Sequence, residues 1–474
     1  MKRIAFSEVN AVEHWLDVID PATTEVFAQV SAGTAQDVDV AVRRAQAAFP
    51  AWSGLSNSER ARWLEKLADA LEARIPEFAD AETRDTGKPL WLTRDIEIPR
   101  AVANLRFFAQ AATQFSSESH HGQAGLNYTL RQPQGVVGVI SPWNIPLLLF
   151  TWKLAPALAA GNCVIAKPSE VTPLTAQMLA ELACDIDFPE GVLNVVHGLG
   201  QTVGQAMVDH PGIKAISFTG STAVGKRIAE RCARQLKKCS LELGGKNAAL
   251  IFADAPKEKL FDHIVRAAFQ NTGQICLCGS RLLIERRYYD EFRDAFVAKT
   301  THHRVGDPLA DGTFLGPLVS QAHHDKVLAY LDLARAEGGR VIAGGQRIEV
   351  PGRCAKGWFV APTIIEGLGP QCRTSQEEIF GPIVTLHAFD DDDEAVALAN
   401  ATPYGLSASV WTERLSRAHR VAAKIDAGIV WVNTWMQRDL RTPFGGMKQS
   451  GLGREGGMEA MRFFTEPKNV CIGV

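Results

Sequence analysis

Val136-Val137-Gly138-Val139-Ile140 runs into Ser141-Pro142-Trp143-Asn144. The unbroken apolar run, rich in β-branched residues, predicts a strand buried on both faces, and Pro142 stops it because proline has no amide hydrogen for a ladder. Working outward, Trp152 to Ala160 reads as a helix and Asn162 to Ala166 as the next strand. Thr172 to Ala183 gives a second helix, and Val192 to Val196 another strand. Ala215-Ile216-Ser217-Phe218 is a further strand, with Ala223 to Gln235 as the helix behind it. Such a β-α-β-α succession predicts a parallel sheet covered on both faces, with its ligand beyond the strand C-termini. A second α/β unit is predicted to start with Ala248-Ala249-Leu250-Ile251-Phe252 and to run to about Gly446, with no internal repeat.

Composition narrows the function classes. A chain of 474 residues holds two or three domains with sizeable cores. Fifty basic against 53 acidic side chains leave a net charge of −3, which favours neither nucleic acid nor an anionic membrane. The run Asp390-Asp391-Asp392-Asp393-Glu394 reads as the solvated start of the helix that continues through Ala395-Val396-Ala397-Leu398 rather than as a cation site. Nine cysteines without a Cys-x-x-Cys pair give neither a disulfide framework nor a zinc knuckle, so no metal is expected and a reducing cytoplasm is the expected setting. Residues 1–8 lack the apolar run of a signal peptide. The most apolar stretch, 145–166, is interrupted by Lys153, Pro156 and Asn162, so it is not expected to span a membrane.

Gly220-Ser221-Thr222-Ala223-Val224-Gly225-Lys226 follows a strand and opens a helix, a place where backbone N–H groups bind phosphate. The spacing is nearly that of a P-loop, but Arg227 stands where a Ser or Thr would have to hold magnesium. Lys167-Pro168-Ser169-Glu170 lies at the end of the preceding strand, where ribose hydroxyls would lie. A carboxylate there accepts from the 2′- and 3′-hydroxyls and repels a 2′-phosphate, so Glu170 favours NAD over NADP.

The chemistry is read from two further stretches. Asn271-Thr272-Gly273-Gln274-Ile275-Cys276-Leu277-Cys278-Gly279 sets a cysteine on a Gly-flanked loop, where a substrate can come close. Leu241-Glu242-Leu243-Gly244-Gly245-Lys246 sets a carboxylate among apolar neighbours, which raise its pKa and suit it to general-base work. Cys276 and Glu242 together suggest a thiohemiacetal and a thioester. Cys278, on the same loop but pointing the other way, reads as a packed thiol.

These two motifs resemble those of the aldehyde dehydrogenase superfamily. So do Ile140-Ser141-Pro142-Trp143-Asn144, Lys167-Pro168-Ser169-Glu170, Phe218-Thr219-Gly220-Ser221-Thr222, Glu378-Ile379-Phe380-Gly381-Pro382 and Pro443-Phe444-Gly445-Gly446, in the family's order. The resemblance implies a Rossmann-type cofactor domain (1–118 and 135–243), an α/β catalytic domain (244–448) and a small β oligomerisation element (119–134 and 449–474) in a homodimer or homotetramer. It implies that Cys276 is the nucleophile, Glu242 the base and Asn144 an oxyanion donor beside the Cys276 backbone N–H. For NAD it implies contacts from Ile140, Trp143, Lys167, Ser169, Glu170, Gly200, Gly204, Gly220, Ser221, Leu243, Gly244, Glu378 and Phe380. An acylating enzyme would need no base, so Glu242 argues for hydrolysis.

Arg438 lies in a loop that lines the substrate tunnel in that family, Arg100 on a helix that lines the same tunnel, and Trp152 is expected to touch the substrate. Two arginines at a tunnel mouth imply a carboxylate-bearing aldehyde; a pair of surface arginines, one of them bridged to Asp439, is the alternative. Gln274 to Arg281 and Arg438 to Lys448 resemble the branch that oxidises 2-aminomuconate and 2-hydroxymuconate semialdehydes in aromatic ring-cleavage catabolism. A broad-specificity aliphatic or aromatic aldehyde dehydrogenase remains the other reading.

Overall fold

The computed structural model describes residues 2–4, by backbone alone, and 14–473. The reading of residues 1–8 therefore lies largely outside the described residues. Two parallel sheets organise the chain. The first has the order Gly451–Leu452, Lys238–Glu242, Ile213–Thr219, Val136–Ile140, Cys163–Lys167, Leu193–Val195, and only the first of these strands is antiparallel. The strand reversal beside Val136–Ile140 opens a crevice at the strand C-termini, the place where such sheets bind ligands.

The second sheet has seven strands: Arg340–Ala343, Thr363–Glu366, Ile383–Phe389, Gly279–Glu285, Asn247–Ile251, Ser407–Trp411 and Ile429–Val432. Its central strand ends are reached directly from the first sheet, because four residues separate Glu242 from Asn247. Glu242 thus ends one sheet while the chain carrying Cys276 enters the other at Gly279. The acidic run behaves as the sequence indicates: Asp391 caps the helix Asp392–Asn400 by accepting from the Asp393 and Glu394 N–H groups.

The helix read from Trp152 starts earlier, at Pro146, and runs to Ala159. Pro146 suits the first helical turn, where its missing N–H costs nothing. The stretch before Trp152 shows no amphipathic period because nearly every residue of this helix is buried, on all sides.

The strands Ser119–Gly122, Gly125–Pro133 and Thr465–Gly473 form a separate antiparallel sheet. The terminal strand pairs with the hairpin of its own chain, from Thr465 opposite Pro133 to Gly473 opposite Gly125. Of residues 449–474, Gly451–Leu452 instead extends the first sheet, and the helix Gly457–Phe463 packs on the helices Pro146–Ala159 and Ile98–Thr113.

One buried acidic group ties the loops of the first sheet together. Glu82, on the helix Ile75–Thr86, accepts from the Leu147 N–H at 3.2 Å and the Thr175 hydroxyl at 2.9 Å. Asp85, one turn on, accepts from the Leu174 N–H at 2.9 Å. The starts of two helices are thereby fixed to one another, and the loops just before them carry Trp143-Asn144 and Lys167 to Glu170. Lys88, itself buried, bridges Glu82 and Glu97, which keeps this carboxylate pair from standing uncompensated.

Candidate active site

Ile140, Gly200, Gly204, Phe218 and Val224 line an open cavity of about 590 Å³ beside the helix Thr222–Arg234. Ser221 caps that helix, its hydroxyl accepting from the Val224 N–H at 3.4 Å, and the remaining first-turn N–H groups have no helical partner. A Cβ at Gly225 would lie 2.4 Å from Leu243, so the helix packs tightly against the chain leading to Gly244. At the same crevice the Lys167 ammonium donates to Glu170 at 2.9 Å, and the Gly200 N–H donates to Glu170 at 3.4 Å. Burial pushes the Glu170 carboxyl up, but the Lys167 charge and these hydrogen bonds leave it below the usual carboxylate range. A roomy cleft, a free helix N-terminus and a charged carboxylate fit a dinucleotide with an unphosphorylated ribose.

Six of the residues expected at the cofactor take particular forms. Ser169 turns inward, accepting from the Val171 N–H at 3.2 Å. Gly220 donates to the Glu242 carbonyl at 3.0 Å, joining the phosphate turn to the strand that bears the base. Trp143 and Phe380 meet edge to face at 5.3 Å. Glu378 folds onto the Gly-Gly backbone, accepting from the Gly245 N–H at 2.9 Å, and a Cβ at Gly244 would collide with its carboxyl.

Cys276 follows three residues with left-handed backbone: Asn271, Thr272 and Gly273 have φ of 54°, 55° and 70°. For β-branched Thr272 this conformation costs on the order of 1–3 kcal/mol, and the surroundings hold it in place. The Asn271 amide donates to the Asn144 carbonyl at 3.0 Å, the Thr272 hydroxyl to the Gly316 carbonyl at 3.0 Å, and the Val319 N–H to the Gln274 side chain at 3.0 Å. Asn144 answers by donating its amide to the Gln274 carbonyl at 2.8 Å. The structure therefore joins Asn144 to the cysteine loop, with one amide hydrogen committed to that loop. Asn247 carries the loop's far side, donating to the carbonyls of Cys276 at 2.7 Å and Cys278 at 2.9 Å. Cys276 is partly exposed, whereas Cys278 is buried, as its reading as a packed thiol required.

Burial raises the Cys276 thiol well above its ordinary range, Glu378 and Glu242 push it further, and Arg438 opposes them. Glu242 is only 4% exposed, and its Oε1 has no hydrogen-bond partner. Its carboxyl is pushed well up, first by burial and then by Glu455, against the pull of Lys153, Arg454 and Arg438. Behind it lies a network that the sequence did not disclose. Lys153 forms a buried ion pair with Glu455 and donates to the Ser217 hydroxyl at 3.1 Å, while Ser217 donates to Glu455 at 3.0 Å.

Arg100 and Arg438 line one open cavity of about 640 Å³ with Phe107, Leu440 and Met458. The bridge to Asp439 does not form: Asp439 is taken by Arg441 at 2.5 Å. Neither Arg100 nor Arg438 makes an ion pair or side-chain hydrogen bond among the described residues, and Nη2 of Arg100 is buried and unpartnered. Burial and the facing Arg100 bring Arg438 down to about 10, so both remain cations at neutral pH. Trp152 is 3% exposed, and the Arg438 guanidinium lies over its ring at 5.1 Å. The loop is bolted to the nucleophile by Trp435, whose indole donates to the Leu277 carbonyl at 3.0 Å.

The aldehyde dehydrogenase family model matches residues 6–470. The chain belongs to the aldehyde dehydrogenase family. As such it is an NAD-dependent oxidoreductase. The dehydrogenase is 48% identical over 461 residues to a 2-aminomuconic semialdehyde dehydrogenase of Danio rerio, covering 96% of this chain and 95% of that one. It is 47% identical over 461 residues to a 2-hydroxymuconic semialdehyde dehydrogenase of Pseudomonas sp. (strain CF600), with the same coverage. Among solved structures, PnpE from Pseudomonas sp. WBC-3 superposes with a TM-score of 0.96 at 43% identity, over 100% of this chain and 98% of that one. A crystal structure of PnpE in complex with nicotinamide adenine dinucleotide matches equally well, with a TM-score of 0.96. No helix among the described residues is long and apolar enough to cross a membrane.

Proposed function

We propose that this dehydrogenase oxidises a carboxylate-bearing semialdehyde, 2-hydroxymuconate or 2-aminomuconate 6-semialdehyde, to the dicarboxylate. The observation that carries this reading is the pair Arg100 and Arg438, two cations on one cavity, neither of them in an ion pair among the described residues, while Asp439 on the same cavity is taken by Arg441. Left alone they repel; a substrate carboxylate between them removes the repulsion and gains charge-assisted hydrogen bonds. The names of the relatives point the same way.

In this reading the Cys276 thiol releases its proton to water, the thiolate sulfur adds to the aldehyde carbon, and Asn144 with the Cys276 N–H holds the oxyanion. NAD, when bound, accepts the hydride, and a thioester remains on Cys276. Glu242 then takes a proton from water, whose oxygen displaces the sulfur and yields the carboxylate. Ile140, Lys167, Glu170, Gly200, Gly204, Gly220 and Ser221 hold the dinucleotide, with Trp143, Leu243, Gly244, Glu378 and Phe380 at its nicotinamide end. A homodimer or homotetramer in the cytoplasm completes the reading. The oligomer is supported by the separate three-stranded sheet, which leaves Leu130 and Ile472 at 41% and 53% exposure.

The test is steady-state oxidation of both muconate semialdehydes and of a neutral aldehyde, followed by NADH absorbance, with wild type and with Arg100→Ala and Arg438→Ala. A lost charge-assisted bond is worth roughly 1.5–3 kcal/mol, or about one to two decades in KM. The reading holds if that loss falls on the acidic aldehydes. Equal losses on acidic and neutral aldehydes would return the enzyme to a broad-specificity assignment.

A further inference from the structure

We propose that Phe444 and Trp152 are positioning residues for acid selectivity, which act through Arg438 by stacking its guanidinium into line with Arg100. The inference rests on the acidic-substrate reading and adds what fixes the clamp.

Arg438 presents a difficulty that the pair of rings solves. A long cationic side chain with no ion pair or side-chain hydrogen bond, facing a second cation across an open cavity, would ordinarily swing away into water. An internal carboxylate could hold it, but would also neutralise it and fill the place of the substrate. Aromatic faces are electron-rich, so they attract a cation without satisfying any of its N–H donors. The guanidinium lies 4.0 Å from the Phe444 ring centroid and 5.1 Å from that of Trp152. The two rings meet nearly at right angles, at 88° and 6.5 Å.

Phe444 is 7% and Trp152 3% exposed, and neither lines the cavity that Arg100 and Arg438 share, so the rings bear on that cavity through the guanidinium that covers them. Both are held from behind. Phe108 packs edge-on to Trp152 at 5.8 Å, and Gly456, with φ of 81°, leaves room where a Cβ would come within 3.1 Å of the indole. Phe444 is fixed by two mutual backbone hydrogen bonds of 2.6 Å with Glu455. Glu455 in turn pairs with Lys153, the residue after Trp152. One stretch of helix and one bridge thus support both the arginine clamp and the ion pair behind Glu242.

The experiment compares kcat/KM for 6-oxohexanoate with that for hexanal, probes of equal length that differ in the carboxylate. Wild type, Phe444→Leu, Trp152→Leu, Trp152→Phe and Arg438→Ala are measured, together with Phe444→Leu in the Arg438→Ala background. NAD binding to each variant reports that the fold is intact. Phe444→Leu and Trp152→Leu should lower the acid-to-neutral ratio about three- to tenfold, the range of a partly desolvated cation–π contact. Trp152→Phe, which keeps an aromatic face, should restore the ratio to within about twofold. With Arg438 already removed, Phe444→Leu should leave the ratio unchanged, because two residues acting through one contact do not add.

A ratio that keeps falling in the Arg438→Ala background would overturn the proposal, since the ring would then be touching the substrate itself. So would equal losses on both probes, which would mark Phe444 as a packing residue. If Phe444→Leu does not fold, the two Trp152 variants decide by the same ratio. Should Arg438→Ala leave the ratio intact, the acidic-substrate reading fails and the clamp falls with it. A ratio lost in Arg438→Ala but kept in both ring-to-Leu variants removes only the clamp.

Discussion

Replacing Glu242 by Gln keeps the side-chain volume in a space so tight that a Cβ on Gly445 would lie 2.7 Å from Oε1. It removes the basicity and leaves the Lys153–Glu455 pair standing. A positioned general base contributes about 10²–10⁴ in rate, so thioester hydrolysis should slow by two to four decades, or about 3–5 kcal/mol in barrier. Acylation precedes the need for that base. Moreover, Glu242 is one of the groups that push the Cys276 thiol up, so its loss eases thiolate formation and moves acylation to lower pH. Rapid mixing of the variant with aldehyde and NAD should therefore give one NADH per subunit in a burst, followed by a slow steady state. Intact mass should show the acyl group on the protein. In wild type the sign is set by the raised carboxyl: Glu242 is the working base only when ionised, so deacylation should rise with pH through a range above the ordinary carboxylate value of 4.5. The absence of a burst at every pH would refute the reasoning and make Glu242 the group that deprotonates the thiol.

Cys276→Ala should abolish turnover while NAD still binds, as measured by fluorescence titration; turnover near wild type would move the nucleophile elsewhere. NAD should be preferred to NADP in kcat/KM, because a 2′-phosphate would face the charged Glu170; equal efficiencies would show that Glu170 does not meet the ribose. Glu82→Ala should speed amide hydrogen exchange at Leu147 by about one to two decades, the worth of a bond to a buried charged acceptor. It should also weaken NAD binding through the loop before Leu174, and unchanged exchange at Leu147 would remove Glu82 from that role.

Local pattern carried much of the fold. Val136 to Ile140 could be read as a buried strand because its apolar run is short and its stop is a proline. The order of the second sheet could not, since Asn247–Ile251 has as neighbours Gly279–Glu285 and Ser407–Trp411, the latter more than 150 residues away. In the site, Cys276 and Glu242 stand out because glycines and leucines mark their own short stretches. Lys153 shows the opposite case. In sequence it only interrupts an apolar stretch, yet it meets Glu455 across 302 residues. Trp152 reads as a tunnel residue, but the guanidinium that lies over its ring comes from Arg438, far along the chain, and no local pattern announces that contact.

Trp435 gives the enzyme a separable specificity cartridge. Its indole fixes the chain to the Leu277 carbonyl just before Arg438, and Phe444 re-anchors it through Glu455. Between those two rivets lie the six residues Gln437 to Thr442, held along the backbone by the Trp431 indole on the Gln437 carbonyl and the Gly457 N–H on the Leu440 carbonyl. Side chains can therefore change on a fixed path, which gives new aldehyde preferences a short segment in which to arise.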